Sequence, residues 1–411
     1  MTVYFVQAFI YLAAAVIAVP LAKRFGLGSV LGYLVAGVVI GPVTGLVGQE
    51  ANTIQHFAEF GVVMMLFLVG MELDPKALWA MRIRLVGLGG LQVLLTAAAG
   101  MAVAAWLGLQ WQTALAVGLI FALSSTAIVL QTLNEKGLGK TEGGRSAFSV
   151  LLFQDIAVIP MLALIPLLAL PELMDASGTS ADHSGHLNLV NSLPGWAHGL
   201  VLVAAIGAVI VGGHYLSRPL FRYVVQSGLR EVFTATALML VIGIAALMSL
   251  VNLSPALGAF LAGVVLANSE FRHELEANIE PFKGLLLGLF FITVGAGINF
   301  DVLAEQWGTV VSLAVSVIVV KAAILLGLAL LFRVHGSNGW LFTLSLAQAG
   351  EFGFVLLTYS VQNNVIPVET SQILSLVVAL SMFLTPLLFI VYDRLVLPRY
   401  RRSQNDEREA D

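Results

Sequence analysis

LGYLVAGVVIG at residues 31–41 returns as LGAFLAGVVLA at 257–267, and FLVGMELDPKAL at 67–78 returns as ITVGAGINFDVL at 292–303. The offsets are 226 and 225 positions, in two neighbouring apolar segments. A repeat of that kind marks a duplicated structural unit. Of 411 residues, 59% are hydrophobic and only 11% charged, and mean hydropathy is +0.94. Charge this sparse cannot cover a soluble protein of this size, so the chain reads as an all-α polytopic membrane protein. The net charge is only −4, and no basic–aromatic interleaving occurs, which argues against nucleic acid as a partner. With no cysteine, disulfides, thiolate metal sites and thiol catalysis are excluded. The opening MTVYFVQAFIYLAAAVIAVP lacks a basic n-region and a small-residue cleavage site, so it reads as a retained first span.

Apolar segments of membrane length fall at 3–22, 28–42, 57–73, 84–107, 111–133, 146–170, 196–217, 231–251, 253–268, 284–299, 308–332, 339–362 and 369–393, thirteen in all. Nineteen of the twenty basic residues lie in alternate connections or in the C-terminal segment. The intervening connections at 43–56, 108–110, 171–195, 252, 300–307 and 363–368 have none. The positive-inside rule then predicts a periplasmic N-terminus and a cytoplasmic C-terminus, which requires an odd number of crossings.

The matched segments are spans 2 and 9, and spans 3 and 10. Each pair lies seven crossings apart, so the two copies have opposite orientation. The expected architecture is therefore a transport domain over 1–395, with spans 1–6 and 8–13 as inverted repeats of six helices and span 7 as linker. Such repeats hold their site near the midplane on discontinuous helices. The same offset aligns FALSSTAIVLQTL (121–133) with LAQAGEFGFVLLT (346–358) and sets Thr126 opposite Glu351. Small polar residues interrupt both: Ser124, Ser125 and Thr126 in one, Gln348, Gly350, Glu351 and Gly353 in the other. Two discontinuous, crossing helices are predicted, their half-helix ends offering carbonyls to a cation and N–H groups to a carboxylate.

Within SVLLFQDIAVIPMLALIPLLAL (149–170) stands Asp155, and within VVSLAVSVIVVKAAILLGLALLF (310–332) stands Lys321. The offset pairs them with Leu380 and Thr96, so the duplication does not account for either charge. An ionisable residue inside a membrane span marks an ion or proton pathway by default. Lys321 is either a counter-ion to Asp155 or a group that releases a proton when the cation binds. Glu351 binds a cation, caps a helix end or pairs with a basic residue. Gln348 and Ser125 are ligands or satisfy loosened backbone. None of the seven histidines lies mid-membrane. His183 and His186 beside Asp182 form at best a weak metal motif, so no metal is expected. The charge-dense NSEFRHELEANIEPFKG (268–284) reads as a cytoplasmic connection, either a docking surface or a solvated loop. No nucleophile–base set or P-loop occurs, so no enzyme activity and no cofactor are expected.

FSVLLFQDIAVIP (148–160), SSTAIVLQTL (124–133), FRHELEANIEPFKGLLLGLFFITVG (271–295), LAQAGEFGFVL (346–356) and REVFTA (230–235) together resemble the Kef-type, glutathione-gated potassium efflux systems of the monovalent cation:proton antiporter-2 family. The resemblance covers essentially the whole chain. It implies a sodium/proton-antiporter-like fold, a homodimer and an elevator-type exchange of K⁺ for H⁺ in the bacterial inner membrane. Asp155 would bind cation and proton alternately. Gln154 would stand beside it, Ser125 and Thr126 would line the ion site, and Lys321 would be the core-domain lysine. Arg272, His273, Glu274, Glu276, Glu280 and Lys283 would face a cytosolic nucleotide-binding regulatory domain through 268–284. That domain is expected to be absent here, residues 396–411 reading as a cytoplasmic tail, so glutathione gating is not expected of the chain. Two alternatives stand: Na⁺/H⁺ exchange on the same fold, and a gated potassium channel, which lacks support because no filter such as TVGYG occurs.

Overall fold

The computed structural model describes residues 2–25, 28–46, 60–71 except 62 and 69, 83–176, 228–250, 255–267, 269–400 and, within 204–226, all but 205, 206, 210, 214 and 216. Every regular element among them is helical. In chain order these are α1 (Thr2–Arg24), α2 (Gly28–Val38), α3 (60–71), α4 (Gly90–Trp106), α5 (Trp111–Ala122), α6 (Thr126–Glu135), α7 (Glu142–Leu164) and α8 (Ser217–Val225). They continue as α9 (Arg230–Leu250), α10 (Pro255–Leu266), α11 (Arg272–Ala296), α12 (Phe300–Leu331), α13 (Gly336–Leu346), α14 (Phe352–Gln362) and α15 (Val368–Phe383).

Seven described helices are long and apolar enough to cross a bilayer unaided, and three shorter apolar ones are Ser29–Val43, Trp111–Ala122 and Phe352–Gln362. The expected thirteen spans include four, 57–73, 196–217, 231–251 and 253–268, that lie partly outside the described residues. His183, His186, Asp182 and most of the expected tail lie outside them too.

The repeat acquires physical content where backbones touch. A Cβ on Gly37 of α2 would overlap the carbonyl oxygen of Ile292 in α11, and a Cβ on Gly263 of α10 would overlap that of Phe67 in α3. These two contacts exchange under the sequence offset, since 37 maps to 263 and 67 to 292. The reciprocal pair, Gly295 on Leu34 and Gly70 on Phe260, exchanges in the same way. Only a residue without a side chain permits such an approach, which is how membrane helices associate without a hydrophobic driving force. The small residues of LGYLVAGVVIG and LGAFLAGVVLA thus pack α2 against α11 and α3 against α10.

The stretch expected to be a cytoplasmic connection at 268–284 is largely helix: α11 begins at Arg272 and runs without interruption through Pro281. Local chemistry explains the difference. Arg272 donates to Glu276 at 3.0 Å, Lys283 lies 3.9 Å from Glu280, and Leu275 and Ile279 are fully buried on the adjoining face. Charges at i,i+3 and i,i+4 with apolar residues between them form an amphipathic helix. His273 is 91% exposed beside Glu276, Arg222 of α8 pairs with Glu270 at 2.9 Å, and Asn278 joins Glu274 to Thr234 of α9.

Candidate functional site

The two interrupted helices cross where their regular structure stops. Helix α5 ends at Ala122, Leu123 turns extended, and α6 restarts at Thr126. Helix α13 ends at Leu346, and α14 restarts at Phe352. At the crossing, a Cβ on Gly350 would overlap the Ser124 carbonyl and lie 3.0 Å from Ser125 N. The sequence therefore requires glycine at 350. Overpacking a tight contact costs roughly 1–3 kcal/mol, and here the contact joins the two breaks. Gly350→Ala is expected to lower the melting temperature in detergent and to slow transport. Gly353→Ala, whose Cβ meets side-chain methyls of Val378 at 3.2 Å and of Ile120 at 3.7 Å and no backbone, should do markedly less; equal losses would show that the crossing is not specially tight.

Breaking a helix leaves backbone groups without partners, and in hydrocarbon each needs one. In the first break Ser125 Oγ accepts from Ile128 N at 3.3 Å, an N-cap for α6. Ser124 N donates to Gln154 Oε1 of α7 at 2.8 Å, and Ser124 Oγ donates to Leu346 O at 2.8 Å. In the second break Ala349 N donates to Ser381 Oγ of α15 at 3.1 Å. Ser124 and Ala349 are mates under the offset of 225, and α7 and α15 lie in the spans expected to be sixth in the two repeats. Each half satisfies the same N–H from the same helix, with glutamine in one and serine in the other.

Gln154 is 1% exposed. Besides accepting from Ser124, its Nε2 donates to Gln92 Oε1 at 2.8 Å and to Ala122 O at 3.2 Å. Gln92 on α4 is fully buried, and its Nε2 donates to Thr96 Oγ1 and to Ala122 O, both at 3.1 Å. The sequence expectation placed Gln154 at the ion. The structure directs both ends of its amide to backbone and to Gln92, so it acts on the break.

Lys321 on α12 is 1% exposed. Its Nζ donates to Leu123 O at 2.8 Å, Ser124 Oγ at 3.0 Å and Gln348 O at 2.7 Å. An ammonium has three N–H donors, and these three bonds use them all. Leu123 and Gln348 lie just beyond the C-termini of α5 and α13. Each helix C-terminus carries roughly half a negative charge, so one ammonium balances two converging ends. The sequence expected half-helix carbonyls to face a cation. They do, and the cation is the protein's own.

Asp155 lies one residue beyond Gln154 on α7 and is half-buried. Its Oδ1 accepts from Thr126 Oγ1 at 3.2 Å. Thr126 opens α6, so the carboxylate meets a helix at its positive end. Glu351, 6% exposed, occupies the corresponding position before α14 without capping it through its side chain. The acids thus stand at half-helix N-termini and the lysine at half-helix C-termini. The Gln348 amide is fully buried, with no hydrogen-bond partner among the described residues. Also among the described residues, no three side chains are grouped as metal ligands. The residues the sequence reading missed are Gln92, Ser381 and the bridging role of Ser124 between the two breaks. Between α11, α14 and α15 a cavity of about 520 Å³ is lined by Thr293, Asn299, Thr358, Gln362, Ser371 and Gln372 among others, none of its lining residues charged. It opens at the ends of these helices joined by the connections without lysine or arginine.

The chain is 46% identical over 406 residues to the glutathione-regulated potassium-efflux system protein KefC of Escherichia coli K12, covering 99% of this chain and 62% of that protein. KefC of Escherichia coli O45:K1 matches with the same identity and coverage. The chain therefore spans about three fifths of the length of these curated relatives. Its fold matches that of the sodium proton antiporter MjNhaP1 from Methanocaldococcus jannaschii at pH 8, with a TM-score of 0.65 over 97% of this chain and 100% of the other, at 14% identity. The family model described as "Sodium/hydrogen exchanger, transmembrane" matches residues 11–390, and the chain belongs to that family.

Proposed function

We propose that the chain exchanges K⁺ for H⁺ across the bacterial inner membrane, with Asp155 binding cation and proton alternately. The observation that carries this reading is the setting of Asp155: a half-buried carboxylate on an apolar helix, held by Thr126 at the start of α6 and at the crossing of two broken helices. A bare carboxylate is costly in hydrocarbon, so the site changes sides only when protonated or cation-bound. Two ligands that exclude one another on one group give exchange instead of leak. Access alternates by an elevator-like shift of the unit bearing the crossing against the unit bearing α2, α3, α10 and α11. The uncharged cavity beside α11, α14 and α15, lined in part by Thr, Asn, Gln and Ser side chains, fits a hydrated monovalent cation passing between the site and the periplasm.

The remaining features belong to the same proposal. The N-terminus is periplasmic and the C-terminus cytoplasmic, the unit is a homodimer, and the charged face of α11 near Arg272, His273, Glu274, Glu276, Glu280 and Lys283 receives a cytosolic regulatory domain. The chain transports and does not catalyse, and needs no cofactor. Potassium is preferred to sodium on the strength of 46% identity to proteins named as potassium-efflux systems. A sodium preference is the alternative favoured by the fold match to a sodium proton antiporter.

The test is reconstitution into liposomes with an imposed pH gradient, reading a pH-sensitive dye as K⁺, Rb⁺, Na⁺ or Li⁺ is added. The expected order is K⁺ and Rb⁺ well ahead of Na⁺ and Li⁺. A sodium response equal to or above that of potassium would move the protein to the sodium exchangers. Flux that follows voltage and ignores the pH gradient would mean a channel.

A further inference from the structure

We infer that Gln92 is a positioning residue of the ion site: through Gln154 it fixes where α6 begins, and so holds Thr126 against Asp155. The inference rests on the exchange reading of Asp155 and names a residue that reading does not use.

One directed hydrogen-bond chain links Gln92 to the break. Ser124 N donates to Gln154 Oε1, Gln154 Nε2 donates to Gln92 Oε1, and Gln92 Nε2 donates to Thr96 Oγ1. The second N–H of each glutamine goes to the same acceptor, Ala122 O, the last carbonyl of α5. A primary amide has two donors and one carbonyl oxygen, and in both residues all of them are engaged. The orientation of Gln154 is therefore fixed jointly by Ser124 N, Ala122 O and Gln92, with Gln92 the closest partner of its NH₂. If the Gln154 amide were turned over, its oxygen would face Gln92 Oε1 and its NH₂ would face Ser124 N. Both arrangements are repulsive, and each forfeits a buried hydrogen bond.

Removing Gln92 deletes the shortest bond made by Gln154 Nε2, 2.8 Å against 3.2 Å to Ala122 O. It also removes one of the two donors on that carbonyl. The acceptor that Gln154 presents to Ser124 N is then held only through the longer bonds of its Nε2 to Ala122 O at 3.2 Å and Ser124 Oγ at 3.4 Å. Two residues after Ser124 comes Thr126, whose hydroxyl meets Asp155. Gln92 touches neither cation nor carboxylate and works only through this relay. A buried glutamine that merely filled space would have no such dependence.

The test compares the apparent KM for the transported cation with the maximal rate in proteoliposomes. Gln92→Met keeps length and volume while removing every hydrogen bond. It should raise KM about tenfold, the lower end of the cost of losing a group that orients a cation's ligands, with the maximal rate within about a factor of three. Gln92→Glu retains an oxygen facing Gln154 Nε2 but only its protonated form can still donate to Ala122 O, so it should recover part of the loss. Because Gln92 acts through Gln154, adding Gln92→Met to Gln154→Met should raise KM no further. Multiplying costs, or an unchanged KM in Gln92→Met alongside lost stability, would overturn the inference. If Gln92→Met does not fold, Gln92→Glu decides alone: in detergent, cation-induced stabilisation should need a few-fold more cation than in the parent, and an unshifted requirement overturns the inference. A parent protein with neither flux nor stabilisation by any alkali cation would sink the exchange reading itself. Normal parent behaviour with unshifted Gln92 variants would sink this inference alone.

Discussion

Asp155→Asn is expected to reduce cation-driven proton flux to the level of protein-free liposomes while leaving the fold intact. Asparagine keeps the size of the side chain and an oxygen that can still accept from Thr126 Oγ1, the bond seen at 3.2 Å. What it lacks is a group that can hold either a proton or a cation. On insertion scales an aspartate at a helix centre costs roughly 2.5–3.5 kcal/mol. At 1.4 kcal/mol per factor of ten, that suppresses crossing of the empty, charged site by roughly a hundredfold. Coupling depends on this cost, and a neutral amide abolishes the cost along with the cargo. Melting temperature should therefore stay close to the parent's, but lose its dependence on added K⁺ or Rb⁺. Asp155→Glu retains the charge, shifts the carboxylate by one methylene from Thr126, and should leave a reduced but measurable flux. Residual cation-dependent proton flux in Asp155→Asn would mean that another group, with Glu351 the first to examine, carries the ion.

The architecture was readable because it obeys a periodicity. The offset found in the sequence predicts which glycines meet which carbonyls, and Gly37 with Gly263 and Gly295 with Gly70 show the exchange in space. The breaks were readable because Ser124–Thr126 and Gln348–Gly353 put small polar residues where a continuous apolar helix would need none. Partnership was less accessible. Nothing in GLGGLQVLLT distinguishes Gln92 from an ordinary polar residue, since its role depends on Gln154 sixty-two positions away. Ser381 was hidden for the same reason. The helix at Arg272 was missed although its i,i+4 pairing stood in the sequence, because a dense run of charges with a proline reads equally as a solvated loop. Lys321 shows the limit most clearly. Its position in the membrane follows from sequence, whereas the choice between a carboxylate and three neutral oxygens as its partners depends on where two other helices stop.

That choice makes Lys321→Met the most informative stability measurement. In the structure its ammonium satisfies Leu123 O and Gln348 O and bonds Ser124 Oγ. Methionine fills similar space and donates nothing, leaving two buried carbonyls at converging negative helix ends without that donor. A buried acceptor left without a partner costs roughly 1–3 kcal/mol, and two such carbonyls together a few kcal/mol. The expected result is a large drop in melting temperature and loss of transport, with Lys321→Arg, whose longer fork must find room in a fully buried site, only partly restoring either. The decisive comparison repeats Lys321→Met in the Asp155→Asn background. If Lys321 holds the helix ends, its loss costs the same whether or not a carboxylate stands at 155, and the two effects add to within about 0.5 kcal/mol. If Lys321 were a counter-ion to Asp155, removing the aspartate would leave an unpaired buried charge, and removing both would restore stability lost by either. Additivity therefore assigns the lysine to the crossing, while rescue assigns it to the carboxylate. In the first case the site that travels holds a single exchangeable charge, on Asp155.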